Sequence, residues 1–127
     1  MFFKYNYDNF PNIYIDLSGY INNDDDFKLF TQEWLSIYER KQQFTLFFNT
    51  KNLQGSNLKY TIYMAFFIKK VKSLKYNYLI ESKIYIYNKY IFKLAKLIFY
   101  FEKPIAKIEL LLFDNNNKII ENSIILP

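Results

Sequence analysis

The chain contains no cysteine and no histidine, only two glycines and one arginine. Without cysteine there are no disulfides and no thiolate metal sites, which agrees with a reducing compartment. Without histidine the commonest general base near neutral pH and the commonest metal ligand are both missing. Nucleophilic Cys and Ser–His arrangements cannot be assembled within the chain. Neither a Walker A pattern nor GxGxxG occurs. Carboxylate pairs, lysine and tyrosine are what remains for catalysis, so an enzyme is the last function class to expect, with no cofactor and no metal. Uncharged apolar runs are also missing: "YMAFFI" and "LIFYF" are short and flanked by lysines, far from the ~18 to 20 residues of a membrane span. The opening "MFFKYNYDNF" lacks the basic, apolar, small-residue layout of a signal peptide. The expectation is a cytoplasmic protein (host cytoplasm or virion, if viral) with no transmembrane segment.

What is present is apolar and aromatic. Hydrophobic residues make up 51% of the chain and aromatic ones 22%, which excludes an intrinsically disordered chain. A length of 127 residues suits one domain with one core. Phe, Tyr, Ile, Asn and Lys together exceed half of the residues. AT-rich codons encode all five, so the composition points to an AT-rich genome, plausibly that of a giant virus. It also discounts the net charge of +5, because lysine is then the default surface residue rather than a sign of nucleic acid.

Along the chain, "FFKYNYD" (2–8) fits an edge strand and Pro11 breaks it. "NIYIDLSG" (12–19) alternates Ile13, Ile15 and Leu17 with polar residues and ends at Gly19, a period-2 strand. Alternation puts Asp16 on the face opposite those three. Asn23 is placed to cap a helix over about 24–42, with Asp26 three residues on. Phe27, Phe30, Trp34, Ile37 and Tyr38 form its buried stripe, so Trp34 is expected to lie against the sheet. Asp24, Asp25 and Asp26 lie at its positive end, Arg40 and Lys41 at its negative end. The aspartates read as cap and solvated charge rather than a cation site.

"FTLFFNT" (44–50) reads as a strand covered on both faces, followed by a loop over 51–57. A second helix over 58–74 carries Met64, Phe67, Ile68, Val71 and Leu74 inward. A strand lies within 78–88. A third helix, 89–102, turns Ile91, Leu94, Ala95 and Ile98 inward and Lys89, Lys93 and Lys96 outward, and Pro104 ends it. A strand over 105–114, the turn "NNNK" and a C-terminal strand over 119–126 close the chain.

The order is β-β-α-β-α-β-α-β(-β): one α/β domain over 1–127, with a mixed, mostly parallel sheet of about 4–6 strands and three helices. Strands near 12–18, 44–48, 82–87 and 106–113 are expected parallel, with 2–7 antiparallel at an edge. "IYIDLSGYINNDDDFKLFTQEW", "FTLFFNTKNLQGSN" and "IFKLAKLIFYFEKPIAKIEL" resemble the first crossover, second crossover and closing unit of the STAS superfamily and its CRAL-TRIO-like relatives. That family carries a strand ending in Asp and then Asp-Ser-x-Gly. This chain has Asn49 and then Gly55-Ser56. The resemblance implies a non-enzymatic protein-interaction module, with Ser56 alone able to inherit the serine that partner kinases phosphorylate. CRAL-TRIO relatives imply small-ligand or lipid binding instead, and a virion structural component is a third alternative.

The loop carries the candidate binding residues Asn49, Thr50, Gly55, Ser56 and Asn57. Free N–H groups opening the second helix, with these hydroxyls, suit an anion or phosphoryl group; the plainer role is that Ser56 or Asn57 caps the helix. Lys89, Lys93 and Lys96 suit phosphates of nucleic acid or an anionic membrane, with a solvated face as the plainer reading. A protein partner or self-association is expected.

Overall fold

The computed structural model describes residues 1–127. Its elements are β1 (Phe3–Asn9), β2 (Asn12–Ile21), α1 (Asp24–Ile37), a 3-10 turn (Tyr38–Arg40), β3 (Phe44–Ser56), α2 (Lys59–Lys72), β4 (Leu79–Ile86), α3 (Lys89–Phe101), β5 (Lys107–Phe113) and β6 (Ile119–Ile125). The six strands form one sheet in chain order. β2 to β5 run parallel, and β1 and β6 are antiparallel edges. This is the expected α/β fold, in the expected element order.

Sequential order has a consequence. Each parallel neighbour is reached by a crossover of the same hand stepping in the same direction, so all three helices fall on one face. The registers agree. Ile13, Leu46 and Ser82 are cross-strand neighbours, as are Ile15, Phe48 and Ile84, and the row continues to Leu110. On that face Phe30, Trp34, Ile37, Phe67 and Val71 pack with Ile13, Ile15, Leu46 and Phe48 in one cluster. Ile91, Phe92 and Ala95 of α3 pack with Ile86, Ile108, Leu110 and Leu112 in another. The opposite face has no covering layer.

Local chemistry sets the helix ends. Asn23 Oδ1 accepts the Asp26 N–H at 3.0 Å, as its cap position requires. Asn88 does the same for Tyr90 and Ile91 of α3. Trp34 is buried, as its place on the stripe of α1 demands.

Four expectations need correction. The α-helix of α1 stops at Ile37, not near 42, and tightens into the 3-10 turn before Lys41 adopts a left-handed φ of 54°. Arg40, in that turn, lies over the rings of Tyr7 and Phe10, 4.8 and 4.5 Å from their centroids. Leu74 lies beyond α2 and is exposed. β3 is not covered on both faces: Phe44, Leu46, Phe48 and Thr50 are buried, Thr45 and Phe47 half-buried and Asn49 exposed. Finally, 51–57 is not a loop. β3 runs to Ser56 because β2 also continues, to Ile21, and supplies a partner: Ser18 with Asn52, Gly19 with Leu53, Tyr20 with Gly55 and Ile21 with Ser56.

Candidate functional site

The five residues singled out in the sequence all lie between the middle of β3 and the residue that follows it. There β2 and β3 run on as a two-stranded ribbon past Asn49, where the pairing of β3 with β4 ends. Two register shifts kink the ribbon, as bulges do, and both glycines of the chain serve it. Gly19 takes φ +68°, and a Cβ on Gly55 would stand 2.8 Å from Cε1 of Tyr20.

The five do not converge on one pocket. Asn49 points to the uncovered face, and its Oδ1 accepts the Lys51 N–H at 3.0 Å. Thr50 points the other way, is buried, and donates from Oγ1 to the Tyr85 carbonyl at 2.9 Å. Ser56 is half-buried and donates to the Asn57 carbonyl at 3.0 Å. Asn57 is exposed, and its Oδ1 accepts the Lys59 N–H at 3.1 Å, a cap-like bond at the start of α2. The Tyr60 N–H bonds the Asn57 carbonyl and the Thr61 N–H the Leu58 carbonyl. The N–H groups that would cradle an anion therefore have protein acceptors.

The larger feature is the uncovered face, which local sequence reading missed. One row across it runs Asn6, Tyr14, Phe47, Lys83, Glu109, Ile124, and the next runs Lys4, Asp16, Asn49, Tyr85, Leu111, Asn122. Tyr14 stacks on Phe47 with centroids 4.8 Å apart and planes 14° apart. Phe113 lies near Tyr85 and stacks on Tyr87 at 5.2 Å. Lys83 sits between Glu81 and Glu109 at 3.8 and 3.7 Å, and Lys107 reaches Glu81 at 3.0 Å. Charge on this face is close to balanced.

Positive charge collects elsewhere. Residues 58–103 hold ten lysines against two glutamates. Lys89, Lys93 and Lys96 are all exposed on α3, and Lys96 pairs with Glu121 at 3.0 Å. The aspartates opening α1 do not gather as a cation site. Asp24 instead accepts from the Tyr60 hydroxyl at 2.7 Å and pairs with Lys59 at 3.2 Å. The Tyr60 hydroxyl and then Lys59 hold its carboxyl below the usual range.

Between the helices and the sheet lies an apolar cavity of about 140 Å³. Phe48 and Ser82 form part of its sheet wall, and Trp34, Thr61, Met64 and Ile98 part of its helix wall. Ser82 Oγ is buried without a hydrogen-bond partner, as is the Trp34 indole N–H. The Tyr38 hydroxyl is likewise unpartnered, and burial pushes its pKa up to about 12, opposed by the nearby Trp34 N–H. At the β1 edge the Tyr7 hydroxyl donates to Glu33 Oε2 at 2.6 Å. Burial and then Glu33 raise the pKa of both Tyr5 and Tyr7. These groups lie on the helix side, away from the uncovered face. No helix is long and apolar enough to cross a membrane.

Comparison with known proteins finds no family model, no curated protein and no solved structure that matches the chain.

Proposed function

We propose that the chain is a non-enzymatic protein-interaction module of STAS-like type, docking a protein partner through the uncovered face of its sheet. One observation carries the reading: a six-stranded sheet presents a whole face with no layer over it, and that face bears the Tyr14–Phe47 and Tyr85–Phe113 aromatic pairs. Aromatic anchors among polar neighbours are the chemistry of protein interfaces. Lysines matched by glutamates are poor chemistry for a polyanion, which favours protein over nucleic acid on this face. The succession of parallel strands and same-side helices supports the STAS-like reading at the level of layout.

A small-ligand role has one observation in its favour, the unpartnered Ser82 hydroxyl in the cavity wall. At about 140 Å³ the space falls below the ~300 Å³ at which ordinary ligand sites begin, so the interaction reading stands first. Affinity capture from native cells, with wild type beside a Tyr14→Ser, Phe47→Ser double variant, tests it. The expected result is a partner retained by the wild type and lost by the variant, with an unchanged far-ultraviolet spectrum. Identical captured sets refute the docking face.

A further inference from the structure

We infer that β6 pairs with β6 of a second copy of this chain, antiparallel about a two-fold axis through Asn122, joining two six-stranded sheets into one. β6 is the last strand of the sheet, and seven residues of it, Ile119–Ile125, have no neighbour on their outer side. An unpaired edge is a template for another strand, and soluble proteins blunt such edges with charge, proline or a bulge. β1, the opposite edge, carries Lys4 and Asp8. β6 carries one charge, Glu121, with which Lys96 of the same chain already pairs at 3.0 Å, and its one register shift lies at its start, between Ile119 and Glu121, leaving the rest of the strand regular. Ile119, Ile120 and Ile124, all more than half exposed, supply the rest of the edge's chemistry.

The register follows from that pattern. With the axis at Asn122, Ile120 of one copy faces Ile124 of the other and Glu121 faces Ser123, while the register shift at the start of β6 takes Ile119 out of the pairing. Apolar residues meet apolar ones, and no like charges meet. Moving the axis to Glu121 sets the two glutamates against each other, which disfavours pairing. Moving it to Ser123 sets Glu121 against Ile125. Asn122 donates its amide to Glu109 at 2.9 Å and keeps its carbonyl oxygen for the facing Asn122. An axis of this kind makes the contact self-complementary and closed. The inference uses the edge of the sheet and not its face, so it stands or falls separately from the docking reading.

Five residues a side make a small interface compared with the ~800 Å² per partner of standard complexes, so the dimer should be concentration-dependent. Sedimentation velocity of the full chain over rising concentration is the test. Wild type is expected to pass from monomer to dimer. Ile120→Lys with Ile124→Lys sets like charges across the axis and is expected to give monomer throughout. Ile120→Lys with Ile124→Glu sets opposite charges across it and is expected to restore the dimer. Both side chains are exposed in the monomer, so circular dichroism should be the same for all three. A wild type that stays monomeric overturns the pairing. So does a dimer that survives the double lysine variant, or one that the charge-matched variant fails to restore.

Discussion

Replacing Ser82 with alanine should stabilise the protein. Ser82 sits in β4, 1% exposed, between Leu46 of β3 and Ile108 of β5 in the sheet. Its hydroxyl has no hydrogen-bond partner in the protein and looks onto a cavity with mostly apolar walls. A water entering there would find few of the two to four polar partners that hold buried water. A buried hydroxyl without a partner costs about 1–3 kcal/mol, while alanine gives up only the packing of one oxygen. The net expectation is a gain of about 0.5–2 kcal/mol. With a urea slope of ~1–3 kcal/mol per molar, the unfolding midpoint should rise by roughly half a molar. Ser82→Val should rise further, since it adds methyl groups beside the cavity at about 0.8 kcal/mol per buried carbon and suits a strand. Ser82→Thr keeps the hydroxyl and should fall between wild type and valine. Urea unfolding followed by far-ultraviolet circular dichroism decides. A midpoint lowered by half a molar in the alanine variant refutes the reasoning, because the hydroxyl would then be making a bond worth keeping.

The remaining expectations concern the core, the ribbon and the tyrosines. Trp34 is buried edge-on against Phe30 and Phe67, so Trp34→Ala should cost ~3–5 kcal/mol; an unchanged urea midpoint would mean that α1 packs by another face. Gly19→Ala forces a side chain onto φ +68° and should cost about 1–2 kcal/mol in the same assay, whereas a neutral result would place the bulge elsewhere. Gly55→Ala should cost less, because the obstructing Tyr20 ring is 58% exposed and free to swing, and a Tyr20→Ala background should abolish the effect. The folded-state pKa of Tyr38 is raised above the ordinary 10.0 to about 12. Its contribution is therefore complete below pH ~10 and is lost as pH climbs from there through about 12. Phenolate absorbance and urea midpoints measured across that window should show the loss, and Tyr38→Phe should flatten part of it.

The order of elements was legible because each helix carries its own signals. Asn23 caps as its position demands, and the apolar stripes of α1 and α3 repeat at helical spacing. The uncovered face was not legible locally, because Phe47 is apolar on a solvent-facing position. It is half-covered by stacking on Tyr14, and in sequence it makes "FTLFF" look like a strand buried on both sides. The helix arrangement that leaves this face bare is a property of strand order, which no short stretch encodes. The second half of β3 was hidden by composition. "KNLQGS" reads as a turn, and only the alternation of buried Leu53 and Gly55 with exposed neighbours betrays the strand. The available signal was the glycines, since an isolated glycine in a strand often marks a bulge or a close approach, and Gly19 and Gly55 mark one of each. Ser82 was missed because a small hydroxyl in a strand carries no periodic signal. Its burial depends on the α2 and α3 side chains that line the cavity with it.

The docking claim is tested most directly by a photo-crosslinking amino acid placed at Tyr85, at the centre of the uncovered face, and separately at Phe66, on the outer surface of α2. Both positions leave the buried clusters intact. Irradiation in native cells is expected to join a partner protein to the chain from position 85 and not from position 66. Crosslinks from 66 alone, or equal crosslinks from both, would contradict docking through the sheet.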